Sequence, residues 1–463
     1  MNTLLLIMLL IVEMGLAVLT FSEVKTQKSW LKNRAIAGAI EVAVFLIFSF
    51  FPGIDFGIRF KALLFILIIK ACIFCISMLI GRKATGEVKA GKIVVSTLLS
   101  IVFILMGIVP SYIFCDYAGP TPTGEYAVKT ASAILVDNSR IEEFEEDGSY
   151  REVPIDFYYP DVQDDAVYPL VVFSHGAFGY SRSNFSMYQE LASHGYVVAS
   201  LSHPYHSFFC KDTAGKIVTV NPQFMHDALY INDDNTKESE IFELSKQWIN
   251  LRTLDMTFAI DTLEKWNDTK RLDDTWYVDE NFDNNLLTHI DFDKIGIIGH
   301  SLGGATAVNV GRIRSDVDAV VDIDGTMLGE QVDLIEAEPL EFEGIVYDVR
   351  YTMNEEPYPT ALLNIDNEEH HNSRLEAKKV GMPYANNEVM EHAICGYDTY
   401  FANAGHMNLT DLPLVSPFLA KMLGTGSIDS KECVDTLNQV VLSFYNDVLK
   451  DEGEFVVEEV YGN

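Results

Sequence analysis

Four long apolar runs occupy the first quarter of the chain, and they constrain its folding more than any other feature. They cover residues 2–21, 35–52, 60–81 and 92–114, and each approaches the roughly 20 residues that a helix needs to cross a bilayer. The first run lacks a basic leading segment and a small-residue cleavage site, so it is interpreted as a retained span. We therefore predict a four-helix, all-α transmembrane region over residues 1–115, with the lipid bilayer as a partner.

The loops between these runs predict the orientation of the chain. Basic residues cluster before the second and the fourth run, at Lys25, Lys28, Lys32, Arg34, Arg82, Lys83, Lys89 and Lys92. Because basic loops stay in the cytoplasm, the N-terminus and everything after residue 115 should face outward. The predicted location is the cell membrane, with several spans and an extracytoplasmic domain.

Three ionisable residues fall near the centres of the predicted spans: Glu13, Glu41 and Lys70. Charges at that depth are costly unless they are paired inside the bundle. They could form a polar conduit or ligand site, or they could simply pair with one another. We favour pairing, although sequence position alone does not separate the two interpretations.

The charge of the chain is divided between its two parts. The first 115 residues hold 11 Lys and Arg against 5 Asp and Glu, whereas the remainder holds 22 against 62. An acidic domain repels phosphate backbones, so nucleic acid is not expected as a partner.

We predict a linker over residues 116–124, which are rich in Pro, Gly and Thr.

From residue 125 to residue 463, short apolar runs alternate with helical stretches. Strands are predicted at 153–159, 170–173, 195–200, 295–298, 319–323 and 361–365, and helices at 237–266 and 429–449. Continuous apolar runs of this length are typical of buried parallel strands. The pattern predicts an α/β fold, a mostly parallel sheet flanked by helices, with ligands bound at the carboxyl ends of its strands.

The stretch Ile295–Ala307, IGIIGHSLGGATA, contains the pattern G-x-S-x-G directly between a predicted strand and a plausible helix. That context is the one in which this pattern forms a nucleophile elbow, a sharp turn that exposes a serine. Small residues also recur wherever a helix begins against a strand. Here the strand and the helix favour Ser301 as a nucleophile.

A serine nucleophile needs a base and an orienting acid, which follow it in the order acid and then histidine. His406 lies in a glycine-containing loop after a predicted strand at 397–401, and we prefer it to His370, His371 and His392, which have more charged surroundings. Asp324 and Asp366 each end a strand, and Asp322 is a weaker third candidate. The pattern alone favours neither Asp324 nor Asp366 as the acid.

Two backbone N–H groups should bind the oxyanion. One belongs to Leu302, directly after the nucleophile, and the other is expected from Ala177 in the His-Gly-rich loop after an earlier strand. Residues His175, Phe178, His203 and His206 could line the pocket. The histidines match no familiar metal-ligand spacing, so neither a metal nor a cofactor is predicted.

Four stretches resemble the platelet-activating factor acetylhydrolase family of α/β-hydrolases. They are YPLVVFSHGAFGYSRSNFSMYQELASHGYVVAS, IGIIGHSLGGATA, VVDIDGTM and ANAGHMNLTD, within about residues 150–423. The resemblance implies an α/β-hydrolase fold, Asp324 rather than Asp366 as the acid, His406 as the base, and Ala177 and Leu302 as oxyanion donors. The apolar spans and a segment at 341–356, which looks like an insertion, depart from the family.

The resulting hypothesis is a membrane-anchored serine hydrolase that cleaves carboxylic esters. The resemblance implies short-acyl lipid or phospholipid substrates, cleaved without a metal. Two alternatives keep catalysis, as a general carboxylesterase of the dienelactone hydrolase type or as an amidase or peptidase. A further alternative makes the spans a membrane sensor or assembly module with a ligand-binding, non-catalytic outer domain.

Overall fold

The computed structural model of the chain describes residues 1–23, 26–81, 86–117, 119–161, 166–231, 237–280, 282–342 and 345–462. They form two compact units: Met1–Ala118 with Leu414–Leu419, and Gly119–Pro413 with Ala420–Asn463. Three basic residues of the predicted cytoplasmic loops, Lys25, Arg82 and Lys83, lie outside the described residues.

The chain begins with helices α1 (Asn2–Glu23), α2 (Gln27–Phe48), α3 (Ile58–Ile80), α4 (Ala90–Ile108) and α5 (Pro110–Ile113). Three segments of the described residues are long and apolar enough to cross a membrane: Asn2–Ser22, Ile58–Ile80 and Ala90–Ile113. The second predicted run falls in α2, which is not among them and which carries four charged residues. The fourth span therefore stays a prediction.

The ionisable residues of this unit meet inside it. Lys70 Nζ lies 2.5 Å from Glu13 Oε1 and 2.6 Å from Glu41 Oε2, and all three side chains are buried. The Glu–Lys pairing predicted from the sequence is thus present, and it joins α1, α2 and α3.

The second unit is built on a sheet. Its strands are β1 (Val128–Ile141), β2 (Tyr150–Pro160), β3 (Tyr168–Ser174), β4 (Val197–Leu201), β5 (Phe209–Lys211), β6 (Ile217–Thr219), β7 (Trp276–Val278), β8 (Ile290–His300), β9 (Ala319–Ile323), β10 (Gln331–Phe342), β11 (Ile345–Met353), β12 (Tyr358–Asn367), β13 (Ala393–Phe401) and β14 (Val460–Tyr461). Ten of them form one sheet in the order β14-β13-β12-β9-β8-β3-β4-β2-β1-β7. Pairing is parallel from β14 to β4 and antiparallel from β4 to β7.

Helices cover both faces of this sheet. The helices packed on its strands are α6 (Phe185–Ser193), α8 (Glu238–Thr269), α9 (Leu302–Ile313), α10 (Glu368–Val380), α11 (Ala385–His392) and α14 (Ser430–Lys450). The chain also forms α7 (Pro222–Tyr230), α12 (Leu412–Val415) and α13 (Pro417–Leu423). Strand β3 is buried throughout. Its Leu170 and Val172 point into a core with α8 and α9, whereas Val171 and Phe173 point into a core with α6 and α14. Burial on both faces explains why β3 is continuously apolar rather than alternating.

The predicted α/β fold is confirmed, and each predicted strand and helix overlaps an observed one. Strands β1, β5, β6, β7 and β14 were not predicted; in β1, polar residues interrupt the apolar pattern. The segment predicted as an insertion overlaps β10 and β11, a hairpin that pairs with itself and not with the large sheet.

Candidate active site

Ser301 stands at the turn between β8 and α9, with φ 57° and ψ −125°. A side chain at Gly299 would lie 2.1 Å from the carbonyl oxygen of Gly303, and one at Gly303 would lie 2.0 Å from the carbonyl oxygen of Ser174. No residue larger than glycine fits at either position. The turn that the G-x-S-x-G pattern predicts is therefore formed, and it holds Ser301 in a backbone conformation that costs energy for any L-residue.

Asp324 and His406 are brought into direct contact. Asp324 follows β9 and His406 follows β13, and the sheet places both strand ends at the same edge as the end of β8. His406 Nδ1 lies 2.5 Å from Asp324 Oδ2. His406 is partly exposed, and its Nε2 has no hydrogen-bond partner among the described residues, nor has Ser301 Oγ. The imidazole thus keeps one nitrogen free on the side away from the acid.

The carboxylate of Asp324 is buried and saturated with hydrogen bonds. Asn367 donates to it through its backbone N–H at 2.8 Å and through Nδ2 at 2.6 Å. Burial alone would raise the pKa of Asp324, but hydrogen bonds from His370 and His406 outweigh it and hold that pKa well below its ordinary value. Asp324 is therefore an anion throughout the neutral range, as an orienting acid must be.

His370 approaches Asp324 from the other side. Its Nδ1 lies 3.2 Å from Asp324 Oδ1 and 3.4 Å from Asp366 Oδ1. Burial would lower the pKa of His370, but the charge of Asp366 and the hydrogen bond to Asp324 raise it to about 9. His370 is thus a buried imidazolium between two carboxylates.

Asp366, the alternative acid, has partners other than His406. It pairs with Arg374 and accepts a hydrogen bond from Asn364 Nδ2 at 3.0 Å. Ligating atoms of Asp324, Asp366 and His370 lie within 4.8 Å of one another. They are the described group best placed to hold a cation, but a protonated imidazole has no lone pair to offer a metal.

The predicted oxyanion donors lie on facing segments. An ideal side-chain carbon at Gly176 would be 3.2 Å from Ser301 Cβ, which places the loop after β3 against the serine. The backbone N–H groups of Ala177 and Leu302 have no hydrogen-bond acceptor among the described residues. Both residues also pack on an apolar cluster with Phe178, Phe224 and Trp248. Free donors thus stand beside an apolar surface.

The three histidines predicted to line the pocket are instead buried in a hydrogen-bonded network. His203 Nδ1 lies 2.9 Å from Asp255 Oδ2, and His203 Nε2 lies 2.9 Å from Ser174 Oγ. His175 Nε2 contacts Ser207 Oγ at 2.7 Å, and His206 stacks on Phe224. Burial lowers the pKa of all three, that of His203 to about 4. Of the four predicted pocket residues, Phe178 alone is partly exposed.

Two charged residues of α8, Arg252 and Asp255, organise this network, and neither was predicted from the sequence. Asp255 accepts hydrogen bonds from Arg151 Nη2 at 2.7 Å and from Arg140 Nη2 at 2.9 Å. Arg252 donates to the backbone of the loop that contains Ala177. Both residues lie on the stripe of α8 that also carries the buried Trp248, Met256 and Ala259. Charges on an apolar stripe were the signal that could have found them.

The comparison with protein families agrees with the fold described above. The family described as "Platelet-activating factor acetylhydrolase, isoform II" matches residues 160–459. The chain belongs to this family. The predicted α/β-hydrolase fold is confirmed with it, and the match begins at the end of β2, well after the last apolar helix.

Curated relatives are similar at low identity. Platelet-activating factor acetylhydrolase from Bos taurus is 24% identical over 286 residues, which are 60% of this chain and 56% of the bovine protein. The protein of the same name from Cavia porcellus is 26% identical over 287 residues, with the same two shares. The chain thus spans little more than half the length of these relatives.

Among solved structures, a ferulic acid esterase from Streptomyces cinnamoneus is similar with a TM-score of 0.49 and 18% identity, covering 72% of this chain and 93% of the esterase. A dienelactone hydrolase from Anabaena variabilis has a TM-score of 0.37 and 14% identity, covering 70% of this chain and 99% of that protein.

Proposed function

We propose that the protein is a membrane-anchored serine hydrolase of carboxylic esters, with short-acyl lipid or phospholipid esters as substrates. The contact between Asp324 and His406, beside the strained turn at Ser301, carries the reaction type. Family membership and the names of the relatives support the substrate class.

In the proposed mechanism, His406 Nε2 removes the proton of Ser301 as its oxygen attacks the ester carbonyl. Asp324 holds the proton of His406 on Nδ1 and stabilises the imidazolium. The N–H groups of Leu302 and Ala177 bind the developing oxyanion. His406 then protonates the departing alcohol, and water activated by the same imidazole hydrolyses the acyl-enzyme. No Ser301–His406 hydrogen bond is formed among the described residues, which is compatible with this role because such hydrogen bonds often form only when substrate binds.

The test compares the full-length chain in detergent with its Ser301→Ala variant, on p-nitrophenyl esters from acetyl to palmitoyl and on sn-2 acetyl and sn-2 palmitoyl phospholipids. We expect Ser301→Ala to lower kcat by about 10⁴- to 10⁶-fold. Ser315→Ala, the same change on an exposed turn beyond α9, serves as the control and should retain activity. An active Ser301→Ala protein would refute the mechanism.

The profile across substrates tests the proposed specificity. Preference for acetyl phospholipids supports the substrate class, whereas equal turnover of simple esters without phospholipid cleavage would favour a general carboxylesterase of the dienelactone hydrolase type. Faster cleavage of matched amides than of esters would favour an amidase.

We also propose four spans, with the hydrolase unit on the extracytoplasmic side. Span number decides sidedness, because an even number places the N-terminus and the hydrolase unit on the same side of the membrane. The test attaches epitope tags to both ends and probes them with antibody before and after the cells are permeabilised. Both tags should be reached in intact cells; access to only one of them would indicate three spans.

A further inference from the structure

The most unusual buried charge in the hydrolase unit is Arg252. Its side chain is fully buried, yet among the described residues no carboxylate forms an ion pair with it. Its Nη1 donates to the carbonyl oxygen of His175, its Nη2 lies 3.4 Å from the carbonyl oxygen of Gly176, and its Nε lies 3.3 Å from His206 Nδ1. A buried cation is normally neutralised by an acid; this one is used to hold two successive backbone carbonyls.

A second side chain converges on the same peptide, whose Gly176 carbonyl oxygen also accepts from the backbone N–H of Gly179 at 3.1 Å. His175 Nδ1 lies 2.6 Å from the carbonyl oxygen of Gly176, which requires the proton on Nδ1. The network agrees with that tautomer, because the backbone N–H of His203 also points at His175 Nε2, at 3.4 Å, so that Nε2 is an acceptor to which Ser207 Oγ donates at 2.7 Å. Burial keeps His175 neutral by lowering its pKa.

The peptide held in this way carries the proposed oxyanion donor. The carbonyl of Gly176 and the N–H of Ala177 belong to one planar unit, which is trans. In a trans peptide these two groups point in opposite directions. Fixing the oxygen from inside the protein therefore fixes the N–H toward the Ser301 side. Donors on the oxygen also polarise the peptide and strengthen its N–H as a donor.

We propose that Arg252 and His175 are positioning residues that orient and polarise the Ala177 N–H for the transition state. This inference rests on the proposed function. The two oxyanion donors are then built differently: Leu302 N–H is presented by the first turn of α9, whereas Ala177 N–H depends on a buried cation and a buried imidazole.

The test measures kcat, KM and the inhibition constant of an aryl boronic acid, whose adduct with Ser301 carries the oxyanion, on full-length protein titrated for active sites with a fluorophosphonate. Loss of one oxyanion donor costs about 10²- to 10³-fold in kcat, so a loosened donor in Arg252→Met should cost about 10- to 100-fold. We expect KM to change less than about threefold, and the boronate inhibition constant to rise by the same factor as kcat falls.

Arg312→Met is the matched control. Arg312 also holds two successive carbonyls, those of Glu356 and Pro357 at 3.1 and 2.7 Å, but far along the chain from the 176–177 peptide. It should keep wild-type kcat per active site whatever its stability. Equal kcat and boronate affinity in Arg252→Met and wild type would overturn the inference while leaving the Ser301 mechanism intact. Turnover in Ser301→Ala would instead overturn both.

A second pair of variants applies if Arg252→Met does not fold. His175→Asn can place an amide N–H near the position of Nδ1, whereas His175→Leu cannot. We expect kcat of the Asn variant within about threefold of wild type and kcat of the Leu variant about 10- to 100-fold lower, with parallel boronate affinities. Equal kcat values in the two variants would contradict the proposal.

Discussion

The hydrolase unit contains two sets of serine, histidine and aspartate. In one set Asp324 contacts His406, which keeps a free, partly exposed nitrogen near Ser301. In the other, Ser174, His203 and Asp255 form a complete hydrogen-bonded relay, and all three are fully buried. By hydrogen bonds alone, the second set looks more like a catalytic triad than the first.

The contrast between the two sets shows that residue types and hydrogen bonds do not by themselves identify a nucleophile. The hydroxyl of Ser174 is already hydrogen-bonded to His203, and Ser174 is fully buried. In the Ser301 set, the unfilled positions are where a reacting ester would bind. Catalysis is expected where donors and acceptors are left free beside a surface, and structural support where they are all used.

The largest difference between variants is expected when the two acids at the ends of neighbouring strands are changed. Asp324→Asn should lower kcat by about 10⁴-fold, because His406 would then be held in the wrong tautomer. Asp366→Asn, whose side chain contacts Arg374 and not His406, should keep kcat within tenfold per folded molecule. Ester hydrolysis normalised to the native circular dichroism signal measures both. The reverse order would make Asp366 the acid.

The buried set should respond in stability instead. Asp255→Asn leaves the buried Arg151 without its main counter-charge, which should cost about 3–5 kcal/mol of unfolding free energy. Asp161→Asn, which breaks the exposed pair of Asp161 with Lys129, should cost less than about 1 kcal/mol. Urea unfolding followed by tryptophan fluorescence compares them. Equal costs would show that the buried network adds no stability.

His370 predicts a pH dependence at the border of the active site. Its pKa is raised to about 9 in the folded chain. The contribution of its charge to the unfolding free energy is therefore fully present below about pH 6.5 and is lost as pH rises through 9. Wild-type unfolding free energy should fall across this window by at most about 3 kcal/mol. His370→Asn should lack that part of the fall, and the exposed His392→Asn should keep it. Identical slopes in urea unfolding would contradict the assignment of charge to His370.

The smallest effect expected within the buried set is that of Ser174→Ala. It removes one hydrogen bond to His203 and should cost about 1–3 kcal/mol of unfolding free energy, with kcat reduced less than tenfold. Comparing the kcat values of Ser174→Ala and Ser301→Ala shows whether the two serines differ in role. A fall in kcat above a thousandfold would mean that the buried relay takes part in the chemistry.

Local pattern was sufficient to predict β2, β3, β4, β8, β9 and β12 and the turn at Ser301, because apolar runs and glycine spacing are properties of adjacent residues. It could not choose between Asp324 and Asp366. Asp324 directly follows β9 and Asp366 lies near the end of the neighbouring strand β12, and the side chain that reaches His406 is decided by loop geometry over some 80 residues of chain. Arg252 and Asp255 were missed for a similar reason, since their partners lie on distant strands and loops.

Three residues around the site, Phe178, Ser301 and Asp324, have φ between 54° and 61°. None is glycine, so each keeps its side chain at a cost of about 1–2 kcal/mol. Selection for thermal stability without a screen for activity should therefore accumulate glycine at these positions. At these three positions, a glycine substitution would raise thermal stability but remove a side chain of the proposed active site.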